Sequence, residues 1–289
     1  MSQLPGGFSR IAIVGFGLIG GSWALALKRR GFAGRIVVCD RAEVGRRALE
    51  MAAADEAESD PAAAVRGADL VILASPVGVI LEQLPVIRSA AGQNALVTDT
   101  GSTKRAILNR AREIFTGGAL FLGGHPLAGK EHSGIENADA NLFEKSRYVL
   151  TPLRPEDLDD PRAQAFQVLL RSVGAQPAII DAEEHDRAVA VLSHLPQLLS
   201  TALAAVAGEE RPALPLELAA GGFRDMTRLA DGPYAIWRDV GKTNADNLRA
   251  ALDALIRKLE GMKEHLDDER LAADFDHAHR LRERWRGSS

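Results

Sequence analysis

Residues 11–20 read Ile11-Ala12-Ile13-Val14-Gly15-Phe16-Gly17-Leu18-Ile19-Gly20, and this stretch decides the fold. Four apolar residues make a strand, and a helical pattern opens at Leu18. Between them lie three glycines spaced G-x-G-x-x-G. Gly15 permits the tight turn, Gly17 lets a pyrophosphate approach the backbone, and Gly20 lets helix and strand pack closely. Leu18 and Ile19 open a helix whose N-terminal N–H groups face an anion. The next strand, residues 35–39, is followed by Asp40, 20 residues after Gly20. A carboxylate there accepts both ribose hydroxyls of NAD and repels a 2′-phosphate. Arg41 beside it offers the opposite reading, a clamp for that phosphate, and Asp40 as a mere helix cap is a third.

Outward from this turn, apolar runs at 70–73, 95–97, 119–122, 148–150 and 178–180 alternate with helical patterns at 44–53, 79–89, 104–115 and 161–173. Strands apolar nearly throughout and separated by helices predict a doubly wound, mostly parallel sheet covered on both faces. Strand signals stop after Asp181. We therefore expect a dinucleotide-binding α/β domain over 1–181 and an all-α domain over 182–289. In the latter, Leu248, Leu252, Leu255, Leu259, Met262 and Leu266 recur at spacings of 4,3,4,3,4, a seam for packing on another helix. Leu271, Phe275, Ala278, Leu281 and Trp285 form a second stripe.

Of the 289 residues, 46% are hydrophobic and 26% charged, enough for a core. Lys and Arg number 35 against 39 Asp and Glu, and this net charge of −4 argues against a nucleic-acid partner. A single cysteine, Cys39, rules out an intrachain disulfide and a cysteine zinc cluster. The first residues lack a signal-peptide pattern, so a cytoplasmic location is expected. Residues 188–208 carry no formal charge over 21 positions. Ser193, His194, Pro196, Gln197, Ser200 and Thr201 interrupt them, which favours a helix buried on most sides over a membrane span.

Ligands of an open α/β sheet sit beyond the carboxyl ends of its strands. After the third strand come Ser75 and Pro76, suited to lining a nicotinamide ribose. After the fourth comes Asp99-Thr100-Gly101-Ser102-Thr103-Lys104, and after the fifth Gly123-Gly124-His125-Pro126-Leu127-Ala128-Gly129. The glycine pair and proline predict a rigid loop that carries the His125 imidazole to the cofactor edge. Histidine takes a proton near neutrality, so His125 suits oxidation of a C–OH centre. Ser102 either partners it from the adjacent loop or caps the helix that begins there.

In the uncharged helix, Pro196 frees a carbonyl and opens a notch beside His194, while Gln197 shares its face. His194 is either a satisfied core residue or part of the site. His185-Asp186 resembles a metal dyad, but no second His/Asp set supports it, and no metal is expected. Gly221-Gly222-Phe223-Arg224-Asp225-Met226-Thr227-Arg228 offers two arginines four apart. Arg228 suits bidentate binding of a carboxylate, and Arg224 is its helper or a surface residue balanced by Asp225.

Together these fragments resemble the prephenate/arogenate dehydrogenase family of tyrosine biosynthesis. The resemblance runs from Arg10 to about Asn247 through VGFGLIGGS (14–22), DTGSTK (99–104), GGHPLAGKEHSG (123–134), HDRAVAVLSHLPQ (185–197) and GGFRDMTR (221–228), with Trp237 and Asn244 at matching places. It implies a Rossmann domain joined to a helical domain that forms a homodimer. It also implies NAD-dependent oxidative decarboxylation of a cyclohexadienol. His125 matches the catalytic histidine, Ser102 its serine partner, and His194 and Arg228 substrate-binding positions. Lys130 departs from the pattern and is expected to bring a further cation to the mouth. No accessory module is expected on this chain, so any feedback by tyrosine would act at the active site. Gln197 is neutral and offers an ammonium group no carboxylate, which favours the keto acid prephenate over the amino acid arogenate.

The rivals are a cyclohexadienyl dehydrogenase taking both substrates, a β-hydroxyacid dehydrogenase using Lys242, and an NAD-binding module without turnover. Lys242, within Gly241-Lys242-Thr243-Asn244, reads better as marking a helix start capped by Thr243 or Asn244. Replacing Asp40 by Ala or Ser is expected to weaken NAD binding more than NADP binding. Equal losses in titrations with the two dinucleotides would overturn the assignment of Asp40.

Overall fold

The computed structural model describes residues 7–130, 134–210 and 213–287. The glycine stretch links β1 (Arg10–Val14) to α1 (Leu18–Arg29). Then follow β2 (Arg35–Cys39), α2 (Ala42–Glu50), β3 (Glu56–Glu58), α3 (Pro61–Val65), β4 (Leu70–Leu73) and α4 (Val77–Ala90). After them come β5 (Leu96–Asp99), α5 (Arg105–Ile114), β6 (Leu120–Pro126), β7 (Arg147–Pro152), α6 (Pro161–Ser172) and β8 (Gln176–Ile179). The eight strands lie in the order β3-β2-β1-β4-β5-β6-β7-β8. All neighbours are parallel except β6 and β7. The chain winds outward from β1 to β3 and returns to β4, so a crevice opens between β1 and β4 at their carboxyl ends.

Alternate residues of each strand enter opposite layers. Ile11 and Ile13 pack with Trp23, Phe143, Tyr148 and Phe166 on one face. Ala12 and Val14 pack with Leu73, Ile80 and Ile107 on the other. Burial on both faces is why these strands read as apolar runs. β3 (Glu-Ala-Glu) carries no such run, because an edge strand has a single neighbour; sequence reasoning missed it and the short α3.

One local expectation is corrected. Gly123 and Gly124 belong to strand β6, which continues through His125 to Pro126, not to a loop. A Cβ on Gly123 would lie 2.3 Å from Thr151 Oγ1, and one on Gly124 2.6 Å from the Asp99 carbonyl oxygen. The glycines let neighbouring strands close in on β6 while it stays extended.

Among the described residues only helices follow β8. They are α7 (Ala182–Val189), a π-helical turn (Ala190–His194), α8 (Leu195–Glu209), α9 (Gly221–Thr227), a 3-10 turn (Arg228–Asp231), α10 (Tyr234–Thr243), α11 (Ala245–Glu264) and α12 (Arg270–Gly287). The run Ala182–Glu209 is long and apolar enough to cross a membrane by length and composition. One of its faces buries His185, Asp186, His194, Gln197 and Ser200. The expectation of burial on most sides fails, since Leu192 is 78% exposed and Val206 58%. Along the α11 seam Leu248 is buried, but Leu259 and Leu266 are exposed, and α12 has no buried residue. A single chain supplies too few helices to cover these stripes.

The helical half is fastened to the sheet half by side chains that cap helices. α4 begins without a side-chain cap of its own. Its Gly78 N–H donates instead to Oδ2 of the buried Asp239 of α10, at 2.9 Å. A carboxylate there satisfies a free N–H and meets the positive end of the helix dipole. Asp239→Ala is expected to lower stability by about 1 kcal/mol, with Asp239→Asn losing less. Urea unfolding at fixed protein concentration reads the difference, and an unchanged midpoint for Asp239→Ala would show the cap to be without effect.

Candidate active site

At the crevice, the backbone is drawn tight behind the glycine turn and left open in front. Gly15 has φ +90°, and a Cβ there would lie 2.6 Å from Ser75 Oγ. A Cβ on Gly20 would lie 2.0 Å from the Gly15 carbonyl oxygen, whereas one on Gly17 would meet nothing within 4 Å. That is the cradle a pyrophosphate needs, with Leu18 and Ile19 half-buried at the start of α1. Asp40 Oδ2 accepts the Phe16 N–H at 2.7 Å, and Oδ1 accepts the Arg41 N–H at 2.7 Å. The carboxylate therefore ties the turn to the end of β2 and does not cap α2. Two of its roughly four acceptor positions remain for hydroxyl groups. Arg41 is exposed, with its guanidinium 3.1 Å from Glu43. Ser75 and Pro76 form the β4–α4 turn next to Gly15.

β6 carries His125 past the end of β5. Thr98 pairs with Leu122, so the imidazole sits two residues beyond the level of Asp99, about 7 Å further along the strand. A buried ion pair supports this strand end. Lys104 Nζ bonds Asp99 Oδ2 and also donates to the Gly124 carbonyl at 2.6 Å. Asp99 in turn accepts the N–H groups of Gly101 (2.8 Å) and Gly124 (3.1 Å). Neither Lys104 nor Asp99 is exposed to solvent, and burial pulls the Lys104 ammonium below its usual pKa against the opposing field of Asp99.

His125 is bound from the helical half. Its Nδ1 lies 2.9 Å from His185 Nε2, and His185 Nδ1 lies 2.8 Å from Asp186 Oδ1. Asp186 also accepts the N–H of Lys104 (2.7 Å) and of Arg105 (3.0 Å), so it caps α5. Ser102 thus does not perform the capping that one reading of the sequence gave it. Thr103 Oγ1 lies 2.7 Å from Thr243 Oγ1. Ser102 stands half-buried on the β5–α5 loop, and its hydroxyl bonds nothing among the described residues. His125 is held well below the ordinary histidine range, chiefly by burial, with the nearby His185, Lys104 and His194 adding to the shift. His194 is lowered to about 4, mainly by burial, with Asp186 opposing and His185 adding to the shift. Both rings are neutral at pH 7.

The π-helical turn explains how His194 reaches this place. Pro196 has no N–H for the helix ladder, and the wider turn just before it carries His194 inward, where it is 2% exposed. Its ring stands edge-on to Trp237 at 5.8 Å, Nδ1 lies 3.5 Å from Asn244 Nδ2, and buried Nε2 has no partner. Asn244 sits at the N-cap position of α11 but does not cap it; it donates to the Asp186 carbonyl at 2.8 Å. Lys242 is exposed on the last turn of α10. Gln197 Nε2 donates to the Leu229 carbonyl at 2.7 Å and so fastens the Arg228–Asp231 turn to α8. Arg224 and Arg228 are exposed at this edge. Lys130 is held by Asp139 (3.1 Å) and by the Asn137 carbonyl (3.2 Å), which ties it to its own loop. His132 falls outside the described residues.

The structure therefore brings His125, His185, Asp186, Lys104, Asn244 and His194 into one connected group. It leaves the Asp40 cradle and the two arginines at the margins. His185 and Asp186 are what sequence reasoning missed, having weighed them only as metal ligands. Among the described residues no group of three or more His, Cys, Asp or Glu could hold a metal ion. The available signal was their adjacency in a motif that also contains His194; what was invisible was the packing of α7 against β6.

Comparison with known proteins gives a consistent picture. A family model for the nucleotide-binding domain of prephenate dehydrogenase matches residues 23–177, and one for its dimerization domain matches 181–279. The first match begins beyond the glycine turn, whose reading rests on the geometry above. The prephenate dehydrogenase of Lactococcus lactis subsp. cremoris is 36% identical over 263 residues, covering 90% of this chain and 70% of that protein. The cyclohexadienyl dehydrogenase of Zymomonas mobilis is 32% identical, covering 89% and 88%. Among solved structures, Aquifex aeolicus prephenate dehydrogenase in complex with hydroxyphenyl propionate and NAD+ superposes with a TM-score of 0.86 at 29% identity, over 97% of this chain and 98% of that one.

The buried pair under the site makes a direct stability prediction. Lys104→Met leaves Asp99 buried without its counter-charge, and a loss of roughly 3–5 kcal/mol is expected. Adding Asp99→Asn should recover part of it. A Lys104→Met protein that unfolds at the wild-type denaturant midpoint would refute this account of the strand end.

Proposed function

The chain belongs to the prephenate dehydrogenase family, and from that premise we propose that it converts prephenate to 4-hydroxyphenylpyruvate and CO2 with NAD as oxidant. The observation that carries the reading is one neutral imidazole, His125, at the carboxyl end of β6, on the same edge of the sheet as the glycine turn. Its Nδ1 is engaged by His185, and Nε2 bonds nothing among the described residues.

Gly15, Gly17 and Gly20 with the start of α1 would hold the pyrophosphate, Asp40 the adenosine ribose, and Ser75 and Pro76 the nicotinamide end. Bound there, NAD supplies a hydride acceptor. His125 Nε2 accepts the proton of the ring hydroxyl as that carbon gives up its hydride. The ring carboxylate departs as CO2, its bonding electrons make the ring aromatic, and His125 returns the proton to the phenol oxygen. Ser102, on the neighbouring loop, holds the same hydroxyl in line. Aromatisation supplies the driving force, so the protein has only to polarise the hydroxyl and hold the substrate. Arg228 takes a substrate carboxylate, Arg224 assists at the rim, and His194 Nε2 offers a buried polar contact. Gln197 acts through the Arg228 turn that it fastens.

A cyclohexadienyl dehydrogenase accepting arogenate as well is the second reading, favoured by the Zymomonas mobilis relative. Against arogenate as the main substrate, neither His194 nor Gln197 presents a carboxylate to an ammonium group. A β-hydroxyacid dehydrogenase built on Lys242 fits poorly, because that side chain is exposed on α10. The apolar stripes left open on α8, α11 and α12 are those a second copy would cover, so we assign the active form as a homodimer through the helical half. Unpaired, buried Cys39 fits a cytoplasmic enzyme.

NADH absorbance on mixing the protein with NAD and prephenate tests the assignment, with arogenate in parallel. Prephenate is expected to show the higher kcat/KM, and equal or better turnover of arogenate would reverse the preference. His125→Asn is expected to lose about 10²–10⁴-fold in kcat while still binding NAD. Near-normal turnover by this variant would remove His125 from the chemistry.

A further inference from the structure

The chain of contacts behind His125 carries more than support. Asp186 receives three N–H donors: the backbone of Lys104 and Arg105, and the ring of His185. A carboxylate so placed is an acceptor only. His185 Nδ1 must then bear a hydrogen, and the neutral ring keeps its lone pair on Nε2. That lone pair faces His125 Nδ1 at 2.9 Å, which must bear the hydrogen between them. The remaining lone pair of His125 is left on Nε2.

We infer that His185 and Asp186 are positioning residues that lock His125 in the Nδ1–H tautomer, so that its Nε2 is an obligate proton acceptor. The tautomer follows from the contacts alone, and its catalytic consequence rests on the function proposed above. Free neutral histidine prefers the opposite form, with hydrogen on Nε2, which could not accept the hydroxyl proton. The relay also answers the arriving charge. Once protonated, His125 donates through Nδ1 to a ring whose other N–H rests on a carboxylate, which raises the basicity of His125. The groups facing His125 that set its titration are Lys104 from the start of α5, His185 and Asp186 from α7, and His194 from the π-helical turn. Burial, Lys104, His194 and, whenever it is itself charged, His185 oppose protonation, and the Asp186 carboxylate behind a neutral His185 favours it.

Two measurements test the inference, and one needs no substrate. In ¹⁵N-histidine NMR, with the ring assigned by its disappearance in His125→Asn, wild-type His125 is expected as the Nδ1–H tautomer. It is expected to revert to Nε2–H in His185→Leu. In kinetics, His185→Leu should lower kcat by at least about tenfold, and by no more than the 10²–10⁴-fold expected for losing a general base. NAD affinity should be unchanged, and the acidic limb of the pH profile should move to lower pH. His185→Gln, whose amide oxygen can accept from His125 Nδ1, should regain part of kcat, which a merely space-filling role would not produce. An Nε2–H tautomer in the wild type, or a His185→Leu variant with wild-type kcat and pH limb, would overturn the inference. If instead the tautomer is as expected but the wild-type protein gives no NADH with prephenate, the relay stands and the proposed reaction falls.

Discussion

The carboxylate of Asp186 ties the helical half of this protein to the sheet half. Asp186 lies fully buried on α7, and its oxygens close the free N-terminus of α5 while holding His185. Its backbone carbonyl takes a hydrogen from Asn244, which in turn approaches His194. Burying a charge is unfavourable unless dipoles and hydrogen bonds replace its water. Here a helix N-terminus does so, from an element that belongs to the sheet. The helical half can therefore keep Asp186 buried only when docked on α5, and docking is what brings His185 to His125. Asp239 repeats the device one strand away by capping α4 at Gly78. Two such contacts, one at each of two neighbouring helices, hold the helical half against the carboxyl edge of the sheet.

The sheet half was legible because its signals are local. A run such as Leu70-Val71-Ile72-Leu73 is apolar because both faces of the strand are covered, and Gly15 and Gly20 stand where a side chain would strike the backbone of the same turn. β3 escaped notice because an edge strand need not be apolar. Gly123 and Gly124 were misread as loop residues because their reason lies in Thr151 and Asp99, 28 and 25 positions away. The same limit hid the centre of the site. His125 and His185 meet across 60 positions of sequence, and only the packed structure joins them. Asn244 looked like a cap because asparagine at a helix start usually is one, but here a buried carbonyl of another helix takes its side chain.

The helical half poses a different problem from the sheet. Its buried polar residues gather on one side of the run Ala182–Glu209, while Val191, Leu192 and Val206 face outward. Phe275 and Trp285 on α12 are exposed as well. Apolar side chains exposed in that number suit helices that pack on a partner. The 4,3 spacing read along α11 is thus a sound signal whose partner lies outside the single chain, in keeping with the dimerization-domain family it matches.

Burial and basicity pull against each other at His125. In the proposed reaction, a site that excludes water strengthens every contact to the reacting hydroxyl, yet the same exclusion, with Lys104 close by, depresses the imidazole and keeps it neutral. Neutrality is what a waiting base requires, but a depressed base is a poor proton acceptor. A relay ending on Asp186 reconciles the two demands, because its carboxylate interacts most strongly with His125 after the proton has arrived. The stabilisation is then larger in the transition state than in the resting site, which is the condition for an interaction to speed a reaction. A carboxylate bonded directly to His125 would have been simpler, but it would favour the imidazolium before any substrate bound. Placing a second neutral ring between them keeps the resting base unprotonated and still makes the charge available at the moment of transfer.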